Sequence, residues 1–305
     1  MTLQTKEPSN INIKKFALFL LVLFFLFPNG VAYCEEKSIA VLVSKKIKPY
    51  MQVLKGVKQR TSHTIEIYFL SQNSEKQKKI KQKLLAKPYD LFLTIGPEAT
   101  ALIWSMKPLN NKVKMFSAVL DSHKILARNI PDCGISLQIP VSTQLEEINT
   151  ALPNTKKIGL LFDKKHNTPF FKKAIISGKE KNLNLIPFSV GSKKEIPHIL
   201  KENLSKVDCI WMIPDQTVIS ERIVQYVIKQ ALYQKKGVIG FNSFFMRSGA
   251  VFAFIFDYLQ IGIQTAEKIN NYFIQEQCDI TPPNFEKKIN FKIAQTLGIK
   301  LYRKK

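Results

Sequence analysis

Three apolar runs stop on an acidic residue: "LLFD" at Asp163, "IWMIPD" at Asp215 and "FAFIFD" at Asp257. A carboxylate in that place has two uses. It can cap a following helix by accepting from free N–H groups of the first turn, worth about 1 kcal/mol, or it can receive an ammonium or hydroxyl of a bound molecule. Asp215 before "QTVIS" and Asp257 before "YLQIG" suit both roles, whereas Asp163 runs into polar "KKHN", which reads as a solvated turn. Other runs end at Gly96 with Thr94 just inside, at Asp121 with Ala118 just inside, and at Asn242, whose amide can hydrogen-bond. "TIGPEA" (94–99) is either an ordinary strand-to-helix turn or a helix start whose N–H groups suit a carboxylate. The phenylalanines of "FNSFF" (241–245) can form a ligand platform or simply fill a core.

Covalent catalysis has little to work with. His63, His123, His166 and His198 are dispersed, and there is no G-x-S-x-G elbow, P-loop, G-x-G-x-x-G or H-E-x-x-H. "DSH" (121–123) holds three triad residue types, but neighbours in sequence do not make the spatial geometry of a triad. No CxxC exists and the cysteines are widely spaced, so metal and dithiol readings fall away. The residues point to binding without a cofactor.

The elements that must carry these positions alternate. Strands are expected over 38–44, 63–70, 89–96 and 112–120, with helices "PYMQVLKGVKQR", "SEKQKKIKQKLLA" and "PEATALIWSM" between them. "STQLEEINTAL" follows, with Ser142 or Thr143 as N-cap and Glu146 or Glu147 completing a near capping box. The grammar repeats: strands at 156–162, "NLIPFSV", 208–213, "GVIGF" and 249–256 alternate with helices from Thr168, "KKEIPHILKENL", "QTVISERIVQYVIKQALYQK" and "YLQIGIQTAEKINNYFIQ", and "KKINFKI" is a last strand. Apolar strands alternating with helices mean parallel sheets covered on both faces. The two passes, 38–137 and 138–256, read as two similar α/β lobes joined near "GISLQIP" (134–140) by short crossing strands that can hinge. In open parallel sheets ligands bind beyond the carboxyl ends of the strands, where the aspartates above stand.

Composition narrows the classes. With 46 Lys+Arg against 23 Asp+Glu the formal charge is +23, which invites nucleic acid. The cations, however, are scattered as lysine-rich helix faces such as "KQKKIKQK" (76–83), without zinc spacing or an aromatic–basic RNA motif. They read as a solvated face, or one meeting an anionic membrane surface or acidic partner. At the start, Lys6, Lys14 and Lys15 precede "FALFLLVLFFLF" (16–27) and "PNG", a secretory signal pattern over 1–34. A helix of that apolar length reaches about 18 Å, short of a roughly 30 Å hydrocarbon core. Cleavage can follow Ala32 or Cys34; "VAYC" also approaches a lipoprotein box, with Tyr33 where a small residue belongs, and an uncleaved tether is the third option. Cys209 reads as a buried small hydrophobe, and a Cys133–Cys278 bridge is permitted in an exported chain.

"GISLQIPVSTQLEEINTALPNTKKIGLLFD" (134–163) resembles the start of the second lobe in the TrpX-like substrate-binding proteins of ABC transporters, which have the type I periplasmic-binding fold. "EIPHIL…VDCIWMIPDQTVIS", "GVIGFNSFFMRSGAVFAFIFDYLQIGIQTAEKI" and "INFKIAQTLGIKL" are similar to later parts of that family, and "KPYDLFLTIGPEATAL" and "KMFSAVLDSHKIL" to its first lobe. The resemblance implies an α/β protein of two Rossmann-like lobes with parallel sheets joined by hinge strands. The lobes would be 35–137 with part of 258–282, and 138–257 with 283–305. It implies a monomer without catalytic activity, exported to the periplasm or another extracytoplasmic space. That protein would close on an amino acid or related small ligand and deliver it to membrane permease subunits; a ligand-sensing partner of a signalling receptor is the alternative. Carried over position by position, Thr94, Gly96, Ala118 and Asp121 fall on the first-lobe strand ends, and Asp215, Thr217, Asn242, Asp257 and Tyr258 on the second-lobe side.

Overall fold

Alternate residues of each apolar strand feed different cores, because successive side chains of a strand point to opposite faces. In β1 (Ser38–Val43), Ile39, Val41 and Val43 enter one core while Ala40 and Leu42 enter another. In β6 (Lys157–Asp163), Ile158, Leu160 and Phe162 go one way and Leu161 the other. Both sheets are therefore covered on both faces, as near-continuous apolar strands require.

The computed structural model describes residues 36–126 and 133–301. The expected signal segment 1–34, with Cys34, lies outside them. The first sheet joins β1 to β2 (Thr64–Phe69), β3 (Leu91–Ile95), β4 (Val113–Val119), β5 (Gly134–Ser136) and β11 (Ile280–Thr281) in the order β11-β5-β4-β3-β1-β2, all parallel. The second contains β6, β7 (Asn184–Val190), β8 (Cys209–Met212), β9 (Gly237–Gly240), β10 (Phe252–Phe256) and β12 (Phe285–Ile289) in the order β12-β10-β9-β8-β6-β7, parallel except that β12 runs antiparallel to β10. Pro187 sits in β7, an edge strand, where a missing N–H is tolerated.

Helices cover these sheets: α1 (Lys48–Arg60), α2 (Ser74–Ala86) and α3 (Pro97–Ser105) in the first lobe, and α4 (Val141–Ala151), α5 (Lys164–Glu180), α6 (Ile196–Asn203), α7 (Glu221–Tyr233) and α8 (Ser243–Ser248) in the second. The chain crosses between lobes at 137–140, at Asp257 into α9 (Tyr258–Gln275), and between β11 and β12, before ending in the short α10 (Phe291–Thr296). Helix α9 returns to the first lobe and packs on α1. A Cβ at Gly262 would collide with the Val53 carbonyl, and one at Gly56 with the Leu259 carbonyl, so the two glycines set how closely the helices approach. Ser117 and Thr265 then share a buried 2.7 Å hydroxyl bond between β4 and α9. A Cys133–Cys278 disulfide, Cα–Cα 5.3 Å, ties the chain entering β5 to the chain entering β11. Cys209 is buried and free, as expected of a small hydrophobe.

Four local expectations change. Helix α4 begins at Val141 with Pro140 before it and no side-chain cap, so Ser142 and Thr143 are helical and no capping box forms; the proline's fixed φ starts the helix early. Asp163 is not followed by a solvated turn: it is 5% exposed and caps α5 directly, accepting from the Lys165 N–H. "KKHN" is the first turn of that helix, and Pro169 lies inside it. Asp215 caps no helix, because α7 begins at Glu221 behind a Ser220 cap. The last strand covers Phe285–Ile289, not "KKINFKI", because Asn290 caps α10.

Candidate functional site

At the carboxyl ends of the second sheet, Ile213 and Pro214 follow β8, Phe241 follows β9, and Phe254 and Phe256 belong to β10. Together with Phe170 of α5 they form the apolar floor of a cavity of about 620 Å³, a size typical of small-molecule sites. The crossing segment Leu137–Val141 and the start of α4, with Ser142 and Gln144, make one wall. His166, Asn167, Lys173 and Ser177 line it from α5, and Leu120 and Asp121 reach it from the end of β4 in the other lobe. The cavity thus has an apolar base, a polar rim and contributions from both sheets and one crossing.

Below this floor a carboxylate network fixes the strand ends. Asp215, 3% exposed, accepts at Oδ2 from the Asp163 N–H at 2.7 Å and from Asn167 Nδ2 at 2.6 Å, and at Oδ1 from the Thr217 N–H at 2.9 Å. Thr217 Oγ1 donates to Asp163 Oδ2 at 2.6 Å. That bond, with the Lys165 N–H, holds the Asp163 carboxyl below the usual carboxylate range against its burial. Every donor to Asp215 among the described residues is neutral, and together they pin the loop after β8 to the start of α5.

On the first-lobe side the ends of β1 and β3 are closed by their own residues. Gly96 opens α3 at φ 92, and a Cβ there would lie 2.7 Å from the Tyr50 ring and 2.8 Å from Ser44 Oγ, so only glycine fits. Ser44 Oγ accepts from the Ala99 N–H at 2.8 Å, and the Glu98 carboxylate pairs with Lys45. The N-terminus of α3 thus already carries one acceptor from the chain, with the Glu98 carboxylate in its first turn. Burial works against the charged form of Glu98, yet Lys45 and hydrogen bonds keep it below the ordinary range. Burial, then Glu98 and Tyr258, push the Tyr50 phenol up to about 12.

Of the positions singled out from sequence, Asp121 lines the cavity. The others are placed around it. Thr94 is fully buried with its hydroxyl on Thr100 at 2.8 Å, and Ala118 is buried at φ 59 where the β4–β5 register slips. Asp215 and Thr217 belong to the network beneath the floor. Asn242 caps α8 through Phe244 N–H at 2.9 Å, and Asp257 caps α9 through Leu259 N–H at 2.9 Å. Tyr258 packs edge-on against Phe256, and burial raises its phenol. The α5 face also lines the cavity, although no residue of it stands at a strand end in the sequence. His166, Phe170, Lys173 and Ser177 recur at helical spacing, which is legible only once "KKHN" is recognised as helix.

Two sheets of this topology, joined by three crossings with a cavity at their strand ends, define the type I periplasmic-binding fold. The chain belongs to the ABC transporter substrate binding protein family, whose model matches residues 47–304. Such proteins are extracytoplasmic, bind a small molecule and work with membrane permeases; they are substrate-binding proteins, not enzymes. Among solved structures, an ABC domain in complex with L-Trp from Streptococcus pneumonia is 21% identical, covering 87% of this chain and 96% of that one at TM-score 0.55. A ligand-free, open substrate-binding protein with adhesive properties from Clostridium difficile is 18% identical over 87% and 95%, at TM-score 0.67. A periplasmic ribose ABC transporter from Conexibacter woesei is 10% identical over 86% and 95%, at TM-score 0.61. These likenesses concern the fold. No curated protein matches the chain.

Proposed function

We propose that the cavity is the ligand site of an ABC importer's binding protein, and that the lobes close over an amino acid or related small molecule by bending at the three crossings. The observation that carries this is the cavity's make-up: it sits at the strand ends of one sheet, is walled by the crossing 137–141, and receives Asp121 from the other sheet. Closure would bring Asp121 toward the floor and shut out water. Phe170, Phe241, Phe254 and Phe256 suit a ligand with an apolar body, while Asp121 and Lys173 supply opposite charges at the rim, as an amino acid's two charged groups require. The L-Trp bound by the Streptococcus pneumonia protein lends support to that ligand class.

The chain is read as a monomer exported by its first 34 residues, with Asp121 as the first-lobe contact. The remaining strand-end positions, Thr94, Gly96, Ala118, Asp215, Thr217, Asn242, Asp257 and Tyr258, act by shaping and bracing the site. Calorimetry against the proteinogenic L-amino acids, with small-angle scattering for closure, tests the reading. One ligand per chain and a smaller radius of gyration on binding are expected; heat from none of the series would reject the amino-acid class.

A further inference from the structure

Asn167 stands between a buried charge and the cavity. It lines the cavity, whereas Asp215 lies behind it, and its Nδ2 donates to Asp215 Oδ2 at 2.6 Å. An ionised carboxylate can only accept hydrogen bonds. The amide oxygen of Asn167 therefore cannot turn toward Asp215 without setting two acceptors against each other, and the NH2 end must face the charge. Asp215 is itself fixed, because the Asp163 and Thr217 N–H groups hold both of its oxygens. Asn167 Oδ1 is left on the other side of the amide, and no group among the described residues donates to it.

We propose that Asp215 is a positioning residue that locks Asn167 as an acceptor, so that the second lobe selects ligands presenting a hydrogen-bond donor, an ammonium or hydroxyl, at this point. The inference rests on the cleft being the ligand site. Asp215 then acts through Asn167 and does not touch the ligand. The surroundings make the acceptor count. Phe170 and Pro214 line the same cavity, so a donor arriving there gives up water and needs a partner within the protein. A site that hydrogen-bonds one group rejects analogues lacking it far more strongly than an apolar pocket rejects a missing methylene. The charge behind the NH2 also polarises the amide and strengthens its oxygen as an acceptor.

Two measurements on the protein separate this from the ligand reading. The first is the side-chain amide proton–nitrogen spectrum without ligand, with Asn167 identified by its loss in Asn167→Ala. One Asn167 amide proton should be strongly deshielded and slow to exchange, and Asp215→Asn should return it to the ordinary range. An Asn167 pair that Asp215→Asn leaves unmoved overturns the orientation. The second is calorimetry with L-amino acids against the matching 2-oxo acids, which lack the ammonium. The wild type should prefer the amino acid by roughly ten- to a hundredfold, and Asp215→Asn and Asn167→Ala should both bring the two series close to parity. A preference that survives both variants overturns the proposal. Should Asp215→Asn fail to fold, Asn167→Ala leaves Asp215 its two backbone donors and still decides the binding question. Silence of both series in the wild type defeats the amino-acid reading, and the spectrum then decides the orientation by itself.

Discussion

Thr217 and Asp163 are far apart in sequence and share a 2.6 Å bond that is the largest single cause of the lowering at Asp163. Because the folded carboxyl lies below its unfolded value of about 3.9, its contribution to stability is complete above that value and is lost as pH falls toward the folded one. Thr217→Val should therefore cost about 1–2 kcal/mol near neutral pH, and the gap in melting temperature from the wild type should narrow below about pH 4. An equal gap from pH 7 to pH 3 would speak against the account. Ala118 makes the opposite kind of prediction. Its φ of 59 is a region that side chains enter at a cost of about 1–2 kcal/mol, so Ala118→Gly should leave the melting temperature unchanged or raise it, while Ala118→Val should lower it. At this scale the sequence told residue types but not roles. Asp163, Asp215 and Asp257 look alike as run-ending acids, yet Asp163 caps α5, Asp257 caps α9 and Asp215 ties one strand end to another. What sets Asp215 apart is partners about fifty positions away, which no local pattern carries.

Helices and strands were more legible where one periodicity ran undisturbed. Helix α9, "YLQIGIQTAEKINNYFIQ", is bounded as its pattern predicts, and so is α2. The start of α5 was hidden because polar residues fill its first turn and Pro169 follows; this helix is held by its cap and by apolar contacts farther along, not by a proline-free opening. Two packing tests belong here. Gly262→Ala would push α9 off α1 where the Val53 carbonyl already stands, and a loss of about 1–3 kcal/mol is expected in chemical denaturation. Lys114 in β4 points the other way. It is 6% exposed, its Nζ has no hydrogen-bond partner among the described residues and lies 5.7 Å from the centre of the Trp104 ring, and burial lowers its pKa. A depressed lysine is penalised while the unfolded chain stays protonated, so stability rises with pH until the unfolded value of about 10.4 is passed. Lys114→Met should stabilise by about 1–3 kcal/mol at pH 7, with the gain shrinking toward pH 10; a variant no more stable than the wild type at pH 7 would refute this.

For the whole molecule, the alternation of strands and helices was enough to predict two parallel sheets, because covering a sheet on both faces leaves a signature in every strand. The cavity was not readable in the same way. It gathers residues from Leu120 to Phe256, and its long wall is a helix face that becomes visible only when α5 is known to begin at Lys164. The disulfide was open on sequence grounds and is settled by the β5–β11 pairing, which sets the two cysteines side by side. Cutting it by Cys133→Ser with Cys278→Ser should lower stability by about 2–4 kcal/mol, measured by urea unfolding with and without reductant; reductant should have no effect on the double variant. The same bond has a bearing on biogenesis. The first sheet is finished by β11 and sealed by Cys278, which lies 145 positions after Cys133. A chain threaded from its amino end across a bilayer must therefore deliver β6 to β10, five of the second sheet's six strands, before the first can close, and the thiol of Cys133 waits unpaired through that interval, open to whatever oxidant or wrong partner it meets.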